Sequence, residues 1–433
     1  MRRFLTCLFL LGACSAPKEQ SPNVLLVVVD TLRQDHLGEY GYDQHPTSPF
    51  LDTFSQESIV LDGLTASSSW TLPSMATLFT GLEPAEHGVM RMTGSDSRLG
   101  AIETLATRFQ DAGYATGCVM GNFLMTRRRG GDFDRGFSSW DDSAVDLVNP
   151  HRGSSAGHIV EQAKLWLRAR SNDEPWFLVL HFFDPHASYE DHSSWDFQDP
   201  TYSGWVKGGL GVGEYRRMVG QSDAADFKAL SALYDEEIRE VDAAFESLVK
   251  EIERRKDWGR TLVTFTSDHG EELGERGWIG HTRTLHSELV DIPCIVRLPG
   301  GARGGERVQA RLPLSGLHAT ILDLCGIPVP PGLSASFAPV LQGGELEKRP
   351  VFCEVDFQPI LEGREAKRVK KRAVVYDGVK LIQDVATGES LLFALSSDPY
   401  EREDLYVRRS REVPEVQARL EKLMRDHSWW TEE

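Results

Sequence analysis

Three runs constrain this chain more than any other feature: NVLLVVVD ending at Asp30, WFLVLHFFD ending at Asp184 and TLVTFTSD ending at Asp268. Each is a continuous stretch of β-branched and other apolar residues, without the alternation of a half-exposed strand. That pattern fits strands buried on both faces of a mainly parallel sheet. Polar chemistry in open α/β sheets gathers at the carboxyl ends of the strands, so the three acids are expected to emerge at one shared polar site.

Helical patterns lie between the runs. In DFKALSALYDEEIREVDAAFESLVKEIERR, residues Phe227, Leu230, Leu233, Tyr234, Ile238, Val241, Phe245, Leu248 and Ile252 recur near a 3.6-residue period, which predicts a long helix packed by that face. GIPVPPGL (326–333) and LQGGELEKRP (341–350) close the alternating region. KRAVVYDGVKLIQDVATGESLLFAL then reads as short strands turning at Asp377-Gly378 and Thr387-Gly388, followed by a terminal helix from about Glu412 to His427. The expected α/β architecture is a central, mainly parallel sheet flanked by helices over 21–345, with a smaller antiparallel sheet and terminal helix over 346–433. A chain of 433 residues is long enough for both.

The N-terminus, MRRFLTCLFLLGACSAPKEQ, has two arginines and an apolar run too short to span a bilayer, the layout of a signal peptide. Leu11-Gly12-Ala13-Cys14 resembles a bacterial lipobox. That implies cleavage before Cys14, a lipid anchor on it, and a tether to about residue 20. Ser15 after Cys14 resembles outer-membrane sorting, so the expected location is a cell envelope, facing the periplasm or the cell surface. A plain signal peptide is the alternative. Cys118, Cys294, Cys325 and Cys353 lack metal-type spacing and read as buried small residues or as pairs the sequence leaves unassigned. A formal charge of −18 speaks against nucleic acid as a partner.

Two short stretches carry chemistry. In SSSWTLPSMATLFTG, Thr71 stands at or beside the start of a helix that ends at Gly81; an ordinary cap is the alternative to a reactive hydroxyl. In TSDHGEELGERG, Asp268 and His269 directly follow a strand, and Gly270 permits a tight turn. Asp and neutral His are divalent-metal ligands, and with Asp30 at a second strand end a metal site becomes the better reading.

NVLLVVVDTLRQDHLGEYGY, TSPFLDTFSQESIVLDGLTASSSWTLPSMATLFTGLEPAEHGV, HFFDPHASY, YDEEIREVD, TSDHGEELGERG and LLFALSSDPYEREDL together resemble the sulfatase family of the alkaline phosphatase superfamily, in family order from about residue 23 to 405. The resemblance implies an alkaline-phosphatase-like fold and a metal bound by Asp30, Asp268 and His269, with Thr71 at the nucleophile position and contributing to the metal site. It implies that His186 binds a substrate oxygen and transfers a proton, and that His281 contacts the transferred group.

Two departures bear on mechanism. Thr31 follows Asp30 where the family usually has a second Asp, and Thr71-Leu72-Pro73-Ser74-Met75 replaces the Cys/Ser-x-Pro-x-Arg that is converted to formylglycine, so no formylglycine is expected. A formylglycine hydrate expels sulfate by elimination across its second hydroxyl; a Thr ester must be attacked by water or another acceptor. The set Asp30, Thr71, Asp268, His269 also resembles the zinc site of phosphoethanolamine transferases. The expected activity is metal-dependent hydrolysis of a sulfate or phosphate ester of a small molecule, glycan or lipid; a phosphoryl-group transferase and a catalytically inactive binding protein are the alternatives. One imidazole among oxygen donors favours zinc or manganese, with calcium as the all-oxygen alternative. Arg33 is a candidate substrate ligand, as is His36, against a salt bridge and packing. His181 reads as a satisfied core histidine, Glu271, Glu272 and Glu275 as a solvated acidic turn in which Glu272 is placed to support His269, and Arg127–Arg129 as a solvated loop.

Overall fold

The three apolar runs are neighbours in the computed structural model, which describes residues 21–148, 156–345, 347–359, 368–406 and 414–431. β1 (Asn23–Val29) lies between β5 (Trp176–Phe182) and β6 (Thr261–Ser267), parallel to both, and all three strands are buried throughout. Alternate residues serve two cores: Val24, Leu26 and Val28 face the side carrying the helix Thr71–Thr80, and Leu25, Val27 and Val29 face the side carrying the helix Ala224–Glu253. Two apolar layers leave no solvent-facing positions, which is why the runs do not alternate. Each fully buried Val or Leu contributes roughly 1.5–3 kcal/mol relative to exposure.

β2 (Ile59–Thr65), β3 (Ala115–Met120), β4 (Ser139–Asp141), β9 (Asp291–Arg297) and β10 (Arg307–Pro313) complete an eight-stranded sheet ordered β10-β2-β9-β6-β1-β5-β3-β4. β9 runs antiparallel to both neighbours, β2 and β6, so the sheet is mixed at this point. The long helix spans Ala224–Glu253, capped by the Asp223 carboxylate accepting from Ala225 N and Asp226 N. All nine periodic positions are buried except half-buried Phe227.

β11 (Val351–Phe357), β12 (Val369–Tyr376), β13 (Val379–Asp384) and β14 (Ser390–Ala394) form the separate antiparallel sheet, and the terminal helix Pro414–Asp426 packs Leu420 and Met424 against Val374, Leu381 and Leu392. This sheet reaches the segment before Thr71: Glu354 N donates to Ser67 O at 2.9 Å, and the Trp70 and Phe357 rings meet edge to face. The four described cysteines are unpaired, and burial pushes the Cys325 and Cys353 thiols up to about 12, as the buried-residue reading expects. Cys14 and the leader lie outside the described residues, among which no helix is long and apolar enough to cross a membrane.

Two neutral histidines clamp the helix Thr71–Thr80. His87 Nδ1 accepts from Val89 N at 2.9 Å, so its Nε2–H donates to Thr77 Oγ1 at 3.1 Å; His318 Nδ1 lies 3.3 Å from Leu78 O. Burial pushes His87 down to about 3 and His318 to about 4. Unfolded, both titrate near about 6.5. Between those values the unfolded chain holds more protons, so the stability they support is present above about pH 6.5 and is lost as pH falls toward 4. The urea midpoint is therefore expected to drop across that window, with a shallower drop in His318→Gln; an unchanged slope in the variant would remove His318 from the account.

Candidate active site

Register brings two of the three strand-end acids together. Val29 pairs with both Phe182 and Ser267, so Asp30 and Asp268 leave the sheet side by side. Asp30 N continues the ladder to Phe182 O at 2.9 Å. Thr31 then turns through φ 56°, a costly conformation for a β-branched residue. It is held there by Thr31 N donating to Asp268 Oδ1 (3.2 Å) and by Tyr234, whose hydroxyl donates to Thr31 O (2.7 Å) while accepting from Arg33 N (2.9 Å). The helix face legible as packing thus also braces the site.

Thr71 is the first residue inside its helix, not the cap. Trp70 holds the cap position, and no side chain caps the end. The Thr71 hydroxyl is buried with Oγ1 3.3 Å from His269 Nε2. His269 Nδ1 lies 2.8 Å from Gly270 O, which can only accept, so Nδ1 carries the proton and Nε2 presents its lone pair. That lone pair is 3.7 Å from Asp30 Oδ1 and 3.5 Å from Asp268 Oδ2. Gly270 is required here: a Cβ would fall 2.0 Å from Glu288 O.

The four predicted donors Asp30, Thr71, Asp268 and His269 therefore converge, and a fifth joins them. His181, expected as a satisfied core histidine, is fully buried with neither ring nitrogen hydrogen-bonded, and it shares a 4.8 Å cluster with Asp30 and Asp268. Asp30 Oδ1 and Asp268 Oδ2 are likewise buried without hydrogen-bond partners. Burial and the adjacent Asp268 charge push the Asp30 carboxyl well above its ordinary range, while burial pushes His181 down to about 4 and keeps it neutral. Unpaired carboxylate oxygens and a neutral imidazole facing one point are costly as they stand and fit a divalent cation. Asn122, at the end of β3, donates to Asp30 Oδ2 at 2.6 Å and so aims Oδ1 at the cluster. It escaped the sequence reading, although a polar residue at the end of the strand beside β5 obeys the rule that found Asp30.

His186 and His281 stand next to this group, their rings 5.1 Å apart, with His281 4.6 Å from the His269 ring. A two-stranded ribbon places His281: β7 (Glu272–Leu273) pairs with β8 (Ile279–Gly280), Glu272 opposite Gly280, which puts Glu271 opposite His281. His281 Nδ1 lies 2.9 Å from Glu271 Oε1, and Thr282 N donates to Ser69 O at 3.1 Å, fastening the ribbon to the segment before Thr71. His186 Nδ1 is 2.6 Å from Ala187 O and therefore holds its proton there.

Four expectations are corrected. Asp184 does not join the site; it accepts from Ala156 N at 2.8 Å, at the start of the helix Ala156–Arg168. Arg33 is not poised for substrate: its guanidinium is buried and committed to Asp35, Glu275 and Glu271 O. His36 is likewise paired, with Asp235 at 2.6 Å. The acidic turn is not solvated, because Glu271 and Glu272 are buried and only Glu275 is exposed. Glu272 accepts from Arg276 N and leaves His269 to the Gly270 carbonyl.

Several known proteins share this fold and sequence pattern. An endo-4-O-sulfatase of Bacteroides thetaiotaomicron is 23% identical, over 98% of this chain and 97% of its own. A protein solved in complex with its substrate D-glucosamine-2-N,6-O-disulfate superimposes with a TM-score of 0.74 at 19% identity, covering 94% of this chain and 97% of that one. A phosphonate monoester hydrolase of Agrobacterium radiobacter does so at 0.71 and 20%, covering 93% and 94%. The sulfatase family model matches residues 22–327, a span that holds every converging donor from Asp30 to His281. The chain belongs to the sulfatase family and is a sulfate-ester hydrolase.

Proposed function

We propose that Thr71 is the nucleophile of a metal-dependent enzyme that removes sulfate from a sulfated glycan. The observation that carries this reading is the Thr71 hydroxyl, buried beside His269 Nε2 and the unpaired oxygens of Asp30 and Asp268. Asp30, Asp268, His269 and His181, with Thr71 Oγ1, would hold a divalent ion, and two imidazoles in that set favour zinc or manganese over calcium. Such an ion supplies positive charge that lowers the hydroxyl pKa and draws charge from the ester oxygens.

The residues of the chain do the rest. Thr71, at a helix start whose amides favour negative charge, enters as the alkoxide and its Oγ1 bonds to sulfur. As the bond from sulfur to the sugar oxygen breaks, His186, entering as the imidazolium with Nδ1–H held by Ala187 O, gives that oxygen its second proton, from Nε2. His281, with Nδ1 held by Glu271, binds the oxygens of the transferred group. Water then attacks sulfur, returns a proton to His186 and frees Thr71 and sulfate. The glycan class rests on what the relatives are named for.

One specific feature favours a second reading. Thr71 has a single hydroxyl, so its ester cannot collapse by elimination, a constraint better matched to phosphoryl or phosphonyl esters; the likeness to a phosphonate monoester hydrolase agrees. Release of inorganic sulfate from sulfated glucosamine, compared with release from phosphate and phosphonate monoesters, separates the two. Sulfate release that is the fastest of the three, lost on chelation and restored by zinc or manganese, is the expected result. Faster cleavage of a phosphorus ester would select the second reading.

A further inference from the structure

Two arginines line one cavity, and among the described residues no carboxylate pairs with either. The cavity, about 590 Å³, is walled by Leu72, Met92, Ser97 and Leu124 and carries Arg98 and Arg129. Two of its walls connect to residues of the reactive centre. Leu72 follows Thr71 directly, and Leu124 N donates at 2.8 Å to Asn122 Oδ1, on the side chain that aims Asp30. The start of the Thr71 helix and the Asn122 loop thus each lend residues both to the reactive centre and to the wall of this cavity.

The loops that carry the two arginines are joined by backbone hydrogen bonds. Met90 N and Arg91 N both donate to Asp96 O, closing one loop, and Leu99 N donates to Gly131 O at 3.0 Å, joining it to the loop that bears Arg129. Arg129 Nη2 donates to Met92 O at 2.6 Å, and its guanidinium lies 5.9 Å from the Phe123 ring centre. The Arg98 side chain is exposed and makes no hydrogen bond or ion pair among the described residues. In a chain of net charge −18, other arginines find carboxylates: Arg127 pairs with Asp134 and Arg276 with Glu288. Neither guanidinium lining this cavity is neutralised by a carboxylate among the described residues, so an anion that enters gains a charge-assisted partner in each.

We propose that this cavity is a specificity subsite for a second anionic group, a sulfate or a uronate carboxylate, on the glycan whose sulfate ester reaches Thr71. Arg98 and Arg129 bind that group and make the enzyme select multiply charged sugars. The proposal rests on the sulfate-ester reading above.

The test compares wild type, Arg98→Gln, Arg129→Gln, the double variant and Arg98→Lys on three ligands: glucosamine 6-sulfate, glucosamine 2-N,6-O-disulfate, and a 6-sulfated glucosamine linked to a uronate. In the double variant, kcat/KM for one or both doubly charged sugars is expected to fall at least about tenfold further than for the singly sulfated sugar, mainly through KM, with Arg98→Lys intermediate. Which of the two falls identifies the group recognised. Equal losses on all three sugars, or no loss, would overturn the subsite. A parallel arm measures binding of the disulfated and uronate-linked sugars to Thr71→Ala protein by calorimetry. If no sulfate ester is turned over, the functional reading fails, yet tenfold weaker binding in the Arg98→Gln/Arg129→Gln background still upholds the subsite and unchanged binding still overturns it.

Discussion

Replacing Thr71 by Ala is expected to lower kcat on sulfate esters by about 10³-fold or more, the scale lost when a nucleophile acting within a unit is removed. Little else should change. Thr71 Oγ1 does not cap its helix, and its polar side-chain neighbours, His269 Nε2 and the Asp30 carboxylate, belong to the site rather than to the packing, so the fold does not depend on the hydroxyl. The melting temperature is therefore expected to stay within a few degrees of wild type. Thr71→Ser, which keeps an oxygen at the same place, is expected to retain much of the activity. Turnover within about tenfold of wild type in Thr71→Ala would mean that water attacks sulfur directly.

Asp268→Asn is expected to abolish metal binding while leaving the metal-free protein as stable as wild type or more so. Asp268 Oδ1 accepts from Thr31 N and His269 N, and an Asn oxygen keeps both bonds. Oδ2, buried and without a hydrogen-bond partner, becomes an NH2 group that repels a cation. The change also removes a negative charge that pushes the Asp30 carboxyl upward, relieving a repulsion between two buried acids. Elemental analysis should show occupancy falling from about one ion per chain to under a tenth, with kcat falling about 10³-fold. Melts in chelator should show no loss of stability. Retained metal, or a chelated variant clearly less stable than chelated wild type, would remove Asp268 from the ligand set.

How much of this was legible depended on whether a residue's role is local. The runs ending at Asp30 and Asp268 announced their strands because burial on both faces forbids alternation, and the strand-end rule then placed both acids at the site. The same rule failed for Asp184, which turns to a backbone N–H of the next helix, because strand position does not reveal a side chain's direction. His181 looked like packing since its neighbours Leu180 and Phe182 are apolar. Only the placement of β1 between β5 and β6 shows that its ring faces two carboxylates. Glu271 and Glu272 looked solvated because three acids within five residues usually are, and their burial depends on the ribbon and the Glu288 segment folding over them. Arg33 carries the right charge for substrate, but its partners include Glu275, 242 positions away. Contacts of that separation leave no trace in a local pattern.

If sulfate passes through Thr71, the mass of the peptide containing that residue reveals it. Metal-loaded His186→Ala protein, in which return of the intermediate to water is slowed, would be mixed with an aryl sulfate whose leaving group needs no proton, quenched in acid within milliseconds and digested. The peptide is expected to gain one SO3 group, localised to Thr71 by fragmentation and absent from a His186→Ala/Thr71→Ala control. Burst release of the aryl alcohol with this peptide unmodified, or modified at another residue, would contradict it.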